Sequence, residues 1–298
     1  MKAATLSAAA SGTFKLGNDL PIHRLGFGTM RLTGKGIWGE PENPEEARRV
    51  LRRAVELGVN FIDTADSYGP EVSERLIAEA LYPYPTGLVI ATKGGLTRQG
   101  PDRWAPVGRP EYIQQCVEMS LRRLRLERID LYQLHRIDPK VPVEETLGAL
   151  KEMQHQGKIR HIGLSEVSIK EIKHARNIVP IVSVQNRYNL IEREHEDVLN
   201  YCEKHDLGFI PWAPVAAGRL TRPGGVLDLA ATKYKATVAQ LSIAWLLYRS
   251  FFMLPIPGTS SADHLEENVA AAILVLPKED WQKIEQAVAK EALSSKLR

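Results

Sequence analysis

Three stretches decide the fold: VNFID (59–63), LVIATK (88–93) and IDLYQLH (129–135). Each is a near-continuous apolar, β-branched run that closes on a polar residue, Asp63, Lys93 or His135. Runs without apolar-polar alternation are what strands buried on both faces look like, as in parallel sheets covered by helices. The same grammar recurs outward along the chain in LGFG (25–28), RHIGLS (160–165), IVSVQ (181–185), LGFIPW (207–212) and MLPIPG (253–258).

Helical segments stand between these runs. In NPEEARRVLRRAVELG (43–58), Asn43 is the expected N-cap, Pro44 the first helical residue and Gly58 the stop. RPEYIQQCVEMSLRRL (109–124), PVEETLGALKEMQHQGK (142–158), EREHEDVLNYCEKHDLG (192–208), ATVAQLSIAWLLYRS (236–250) and SADHLEENVAAAI (261–273) read likewise. Strand then helix, repeated about eight times, predicts a single (β/α)8 TIM barrel of α/β class, with a doubly wound sheet as the runner-up. Ahead of it, TFKLGNDLPIHRLGF (13–27) reads as a β-hairpin about Gly17-Asn18 that closes the barrel floor. One domain is expected over residues 1–298, with 1–12 as a loose tail and 277–298 as an amphipathic helix with a frayed end.

Composition agrees and excludes other classes. With 44% apolar and 25% charged residues over 298 positions, the chain can bury a large core and is neither disordered nor fibrous. Thirty-nine Lys and Arg against 36 Asp and Glu leave +3, spread along the chain, so nucleic acid is not expected as a partner. No run approaches the roughly 20 apolar residues of a membrane span, and the N-terminus is too polar for a signal segment. Cys116 and Cys202 lie in helical segments at no metal-ligand spacing, which fits a reducing cytoplasm and predicts no metal. GKGIWG (34–39) matches GxGxxG, but Glu40-Pro41-Glu42-Asn43-Pro44 delays the next helix. A dinucleotide fingerprint must run straight into a helix, so this reads as a flexible loop over the barrel mouth.

In a parallel barrel all strand C-termini open on one face, where catalysis sits. The residues closing the runs are Asp63, Lys93, His135, Ser165, Gln185 and Trp212, with Tyr68 five positions beyond Asp63. Singly, each has a structural reading: a turn cap for Asp63, a solvated charge for Lys93, a core imidazole for His135, packing for Trp212. Jointly they suit proton donation to a carbonyl oxygen. A nearby cation favours phenolate, so Lys93 would ease release of the Tyr68 proton, Asp63 would keep Lys93 charged, and His135 would hydrogen-bond the carbonyl. No side chain donates hydride, so a nicotinamide is implied, with Trp212 as a flat surface and Ser165 and Gln185 as carboxamide partners.

These residues resemble the aldo-keto reductases, (β/α)8 NADPH-dependent carbonyl reductases. The resemblance rests on IDTADSYG (62–69), VIATK (89–93) and IDLYQLH (129–135), and extends through HIGLSEVS (161–168), SVQNRYNL (183–190), FIPWAPVAAG (209–218) and PIPGTSSADHLEENVAA (255–271). It implies Tyr68 as general acid, Asp63 and Lys93 as its tuners and His135 as the orienting group. It also implies cofactor contacts at Gly28, Thr29, Met30, Asp63, Ser165, Gln185, Trp212, Ala213, Pro214, Val215 and Gly218. Gly258, Thr259 and Ser260 would meet the 2′-phosphate side, with His264 where Arg is common and Glu267 and Asn268 at adenine. The resemblance makes NADPH the expected cofactor; Glu166 replaces the usual Asn after Ser165, and Gly258–Glu267 carries no Lys or Arg to hold the 2′-phosphate, which leaves NADH use open.

Trp38, Trp104 and Arg136, with Arg103, are the candidates for the substrate wall and suggest a flat or partly anionic carbonyl compound. ALYPY (80–84), GLSEVS and PIPGTSSADHLEEN look like the bacterial branch that includes pyridoxal reductases, so pyridoxal or another aromatic carbonyl is the expected substrate. The competing readings are a non-catalytic nucleotide-binding subunit and a Schiff-base lyase using Lys93. A monomer or weak homo-oligomer is expected.

Overall fold

The computed structural model describes residues 6–215 and 226–296. The chain opens with an antiparallel hairpin, β1 (Thr13–Leu16) and β2 (Leu20–His23), whose turn places Gly17 at φ 60° and Asn18 at φ 69°. Glycine and asparagine tolerate that left-handed conformation best. Seven parallel strands follow: β3 (Phe27–Gly28), β4 (Phe61–Asp63), β5 (Val89–Gly94), β8 (Ile129–Leu134), β9 (Ile159–Ser165), β10 (Ile181–Gln185) and β11 (Gly208–Phe209), in the order β11-β10-β9-β8-β5-β4-β3.

The eighth run, 253–258, closes the ring without forming a regular strand. Met253 bridges Phe209 in parallel, Leu254 N–H donates to the Phe209 carbonyl (2.8 Å), and Gly26 N–H donates to the Pro255 carbonyl (3.0 Å). Pro255 and Pro257 have no N–H, so the segment can only accept toward β3, and the ladder stays incomplete. The fold is the expected α/β (β/α)8 barrel.

Helices α1 (Pro44–Glu56), α2 (Val72–Leu81), α3 (Pro110–Leu124), α4 (Val143–His155), α5 (Ile169–Arg176) and α6 (Glu196–Lys204) follow successive strands, and α7 (Val226–Tyr234), α8 (Val238–Arg249), α9 (Ala262–Ala270) and α10 (Lys278–Lys296) complete the coat. Asn43 caps α1 as expected, its side chain accepting from Glu46 N–H. Helices α2, α5 and α7 and a small hairpin, β6 (Leu96–Arg98) with β7 (Trp104–Pro106), go beyond the elements read from sequence. Among the described residues no helix is long and apolar enough to cross a membrane.

Two apolar layers form. Outward residues such as Ile62, Ile90, Tyr132 and Leu164 pack against the helices. Inward residues Phe61, Val89, Ala91, Leu131, Ile210 and Leu254 join Phe14, Leu16, Leu20 and Ile22 of the hairpin in a separate cluster inside the barrel. The hairpin thus plugs the floor, each large side chain contributing about 1.5–3 kcal/mol by burial.

Two expectations need correction. Residues 7–12 are not a loose tail: a short 3-10 helix (Ala8–Ser11) is tied down by Ala8 N–H to the Leu57 carbonyl (2.8 Å) and by Leu25 N–H to Ser11 Oγ (2.9 Å). The 34–39 loop is pinned as well. Trp38 bridges Gly69, and Gly39 N–H donates to the Gly69 carbonyl (2.5 Å), so the segment is stitched to the residue after Tyr68.

Candidate active site

Strand alternation puts Asp63, Lys93, Gln133 and His135 on the inner face, one layer above the apolar plug. On β5, Val89 and Ala91 point in below Lys93, while Ile90 belongs to the outer core. Cα register pairs Asp63 with Ala91 and Lys93 with Gln133, so charged and amide groups from three neighbouring strands meet above Ala91 and Leu131.

The Lys93 ammonium is fully buried and donates to Asp63 Oδ1 (2.5 Å), the Thr64 carbonyl (2.8 Å) and the Tyr68 hydroxyl (3.4 Å). Asp63 Oδ2 accepts from Gln133 Nε2 and Gln185 Nε2, both at 2.9 Å. Burial alone would lower the Lys93 pKa, but the Asp63 charge and the neighbouring phenol outweigh it and hold Lys93 above its ordinary range. The ammonium is therefore kept charged.

For Tyr68 the balance differs from the sequence expectation. Burial raises the phenol, Lys93 pulls it down, Asp63 pushes it up again, and the net direction is upward. Tyr68 accordingly carries its proton at neutral pH, which an acid must do before it can donate. His135 is driven well below its ordinary pKa by burial, with Lys93, Arg136 and Arg98 adding to the effect. It is neutral, with Ser67 Oγ 3.3 Å from Nδ1 and the Tyr68 ring centroid 5.9 Å away at 81°.

Other expected residues fall into two groups. At the mouth, Arg136 Nη1 donates to Ser165 Oγ (3.0 Å) and to the His135 carbonyl (2.6 Å), and Trp104 stands edge-on to both Tyr68 (6.4 Å) and His135 (6.3 Å). Trp212 donates its indole N–H to Glu166 Oε1 (2.6 Å), while the Arg187 guanidinium lies over its ring at 5.1 Å. Ala213 takes a left-handed φ of 55° and is followed by Pro214 and Val215 at this rim. Gly28 and Gly258 meet across the barrel seam: a Cβ on Gly258 would stand 2.5 Å from the Gly28 carbonyl oxygen. Met30 begins a 3-10 turn, Met30–Leu32, beside them.

Thr29 departs from expectation. It is fully buried, its hydroxyl donating to the Asp63 carbonyl (3.1 Å) and accepting from Ser73 Oγ (2.7 Å), so its side chain serves the wall and not the mouth. At α9, Thr259 Oγ1 accepts from Ser261 N–H and Ser261 caps the helix through His264 N–H. Ser260 and His264 are exposed, Glu267 is half-buried and Asn268 is buried. Gly218 lies outside the described residues.

Glu166 resolves its own anomaly. At φ 56° it sits in the left-handed region, which disfavours a glutamate by about 1–2 kcal/mol relative to Gly. Its carboxylate compensates by accepting from Arg187 N–H (2.8 Å) as well as from Trp212. The side chain has turned toward the indole.

Sequence reading missed Gln133 and Ser67. Gln133 was legible in principle, because alternation from Leu131 and His135 puts it on the same inner face. Ser67 carried no such signal, since only the turn brings its hydroxyl to His135.

The sequence profile described as the Aldo/keto reductase family matches residues 24–289. An uncharacterised oxidoreductase of Schizosaccharomyces pombe is 52% identical over 94% of this chain and 91% of its own length. Pyridoxine 4-dehydrogenase of Escherichia coli is 41% identical over 91% and 96%. Among solved structures, an aldo-keto reductase from Klebsiella pneumoniae in complex with NADPH superimposes with a TM-score of 0.79 at 26% identity, covering 92% of this chain and 94% of that one. With a family profile spanning residues 24–289 laid over a closed barrel that carries Asp63, Tyr68, Lys93 and His135 at one mouth, this chain belongs to the aldo/keto reductase family.

Proposed function

We propose that the chain reduces an aldehyde or ketone to the alcohol with Tyr68 as general acid, using NADPH and leaving NADH use open. The carrying observation is the Tyr68 hydroxyl 3.4 Å from a buried ammonium that is itself bound to Asp63. The carbonyl oxygen accepts the phenolic proton, and Lys93 stabilises the tyrosinate left behind. Neutral His135 offers the same oxygen a hydrogen bond without competing as an acid.

The rim residues fit a nicotinamide cofactor. Both N–H groups of Gln185 are engaged by Asp63 and by Gln133 Oε1 (3.2 Å), so Gln185 presents only its oxygen to a carboxamide N–H. Ser165 accepts from Arg136 and keeps its own proton to donate. Trp212, fixed at its edge by Glu166, provides the flat surface. When bound, a reduced nicotinamide supplies the hydride to the carbonyl carbon. The Glu166 carboxylate replaces the expected carboxamide contact by fixing Trp212, and does not itself hold the cofactor amide.

Pyridoxal, or another aromatic carbonyl, is the proposed substrate. The likeness to pyridoxine 4-dehydrogenase and the Trp38 and Trp104 rings at the mouth support it. The Schiff-base alternative is disfavoured because Lys93 is fully buried, charged and held by three partners, and an ammonium is no nucleophile. NADPH and NADH absorbance loss with pyridoxal, nitrobenzaldehydes and simple ketones tests the proposal. Tyr68→Phe should abolish turnover while cofactor still quenches tryptophan fluorescence. Undiminished turnover in that variant, or a borohydride-trapped Lys93 adduct, would overturn it.

A further inference from the structure

Arg98, in the β6–β7 hairpin, has every donor of its guanidinium filled by a main-chain carbonyl. Nε donates to Arg103 (3.0 Å), Nη1 to Ile37 (2.6 Å) and Ser67 (2.7 Å), and Nη2 to Gly36 (3.0 Å) and Gly100 (3.3 Å). A guanidinium has five N–H groups in one plane, so nothing in that plane is left for an anionic ligand. Only its flat faces remain, and aromatic rings approach them: Trp104 with its centroid 3.6 Å away and Trp38 at 5.6 Å.

The carbonyls belong to three separate segments. Gly36 and Ile37 lie on the loop stitched to Gly69, Gly100 and Arg103 form the tip of the hairpin, and Ser67 immediately precedes Tyr68. Ser67 also meets His135 through its hydroxyl, and Trp104 stands edge-on to Tyr68 and to His135. One side chain therefore joins the two tryptophan-bearing segments to the turn that carries the acid.

We infer that Arg98 is a positioning residue that sets substrate specificity: it fixes Trp104 as a rigid wall against Tyr68 and His135, so that flat aromatic carbonyls fit and branched ones are excluded. This rests on the reductase reading above. Lysine cannot replace it, having three donors about a point charge and no planar face.

The test compares wild type, Arg98→Lys and Arg98→Ala with 4-nitrobenzaldehyde and with the branched pivaldehyde. Circular dichroism and thermal unfolding check folding, and tryptophan quenching gives the NADPH dissociation constant. Misplacement by about 1 Å near a reacting centre lowers rate by about 100-fold. Both variants should lose about that factor in kcat for the flat aldehyde and much less for the branched one, with NADPH affinity unchanged. Guanidinium ion at millimolar concentration should restore part of the Arg98→Ala rate, and ammonium should not. A general loss of fold would lower both substrates alike, and Arg98→Lys carries the test if the alanine variant fails to fold. Folded variants with the wild-type rate, or with an unchanged ratio between the two aldehydes, would overturn the assignment. If the wild type reduces no carbonyl at all, the reductase reading falls and the Arg98 assignment falls with it.

Discussion

Asp63→Asn removes the carboxylate bonded to Lys93 while keeping the volume of the side chain. The ammonium would retain the Thr64 carbonyl and the Tyr68 hydroxyl, but the single amide oxygen can accept either from Lys93 or from Gln133 and Gln185, so the NH2 group meets donors on the other side. Breaking a buried pair by removing one charge costs about 3–5 kcal/mol. At about 2.1 cal/mol/K of unfolding entropy per residue, or about 1.6 °C per kcal/mol for 298 residues, the melting temperature should fall by about 5–8 °C at neutral pH. The pH dependence should change sign at the alkaline end. In the wild type, Lys93 is held above its ordinary pKa, so its contribution is complete below the unfolded value and lost only as pH rises through the folded one. In Asp63→Asn the folded pKa drops below the unfolded value near ~10.4, so the folded state binds fewer protons and stability rises as pH approaches that value. Thermal unfolding followed by circular dichroism from about pH 6 to about pH 10 reads the rise in Asp63→Asn against a flat Lys93 contribution in the wild type, whose own loss lies above that window. Adding Lys93→Met should recover most of the lost stability, because a neutral pair needs no desolvated charge, yet turnover should stay absent because Tyr68 has lost its cation. A double variant no more stable than Asp63→Asn, or one that still turns over, would refute the argument.

Other variants probe the surroundings. Asp66 is buried beside Glu74, and burial first, then that charge, push its carboxyl up to about 8. Because its folded pKa lies above the unfolded ~3.9, its contribution is present at low pH and lost as pH rises toward 8, so Asp66→Asn should flatten the melting profile and raise it most near pH ~9. Glu166→Ala frees the Trp212 indole, and losing charge-assisted bonds of about 1.5–3 kcal/mol should weaken NADPH binding by about tenfold or more in a fluorescence titration. Gly258→Ala would press a methyl against the Gly28 carbonyl oxygen at 2.5 Å, backbone against side chain, costing about 1–3 kcal/mol in denaturant unfolding.

Where local grammar and tertiary burial agree, the sequence was readable to the residue. Helix α1 has its Asn43 cap, its Pro44 start and an apolar stripe of Ala47, Val50, Leu51 and Ala54, and strand β10 begins and ends where IVSVQ does. Helix α2 was hidden because it breaks that grammar: its N-cap Glu71 is left-handed at φ 68° and its side chain makes no capping bond, and its buried face includes Ser73 and Glu74. Glu74 is tolerated there because Thr92 Oγ1 (2.5 Å) and Arg123 Nε (2.6 Å) satisfy it, partners 18 and 49 positions away that no local pattern announces. Helix α5 had a signal that went unread, the Ser168 and Glu171 capping box, masked by a buried face of only Ile172 and Ala175.

The site was legible through strand ends, and that rule works because register converts sequence parity into direction. Lys93 points inward because Ala91 and Val89 do, and those residues point inward because they pack on the hairpin plug with Phe14, Leu16, Leu20 and Ile22. A slip of one position on β5 would turn Thr92 into the barrel and Lys93 into the apolar helix layer, separating the ammonium from Asp63. The plug at the floor therefore sets the direction of Lys93, and with it the Asp63 and Tyr68 contacts at the mouth. The same logic explains why Gln133 escaped a reading based on final residues: it is inward by parity but two positions short of the strand's polar close. With Gln185 it donates to Asp63 Oδ2, which leaves Oδ1 to hold Lys93 above its ordinary pKa beside a phenol that burial pushes up.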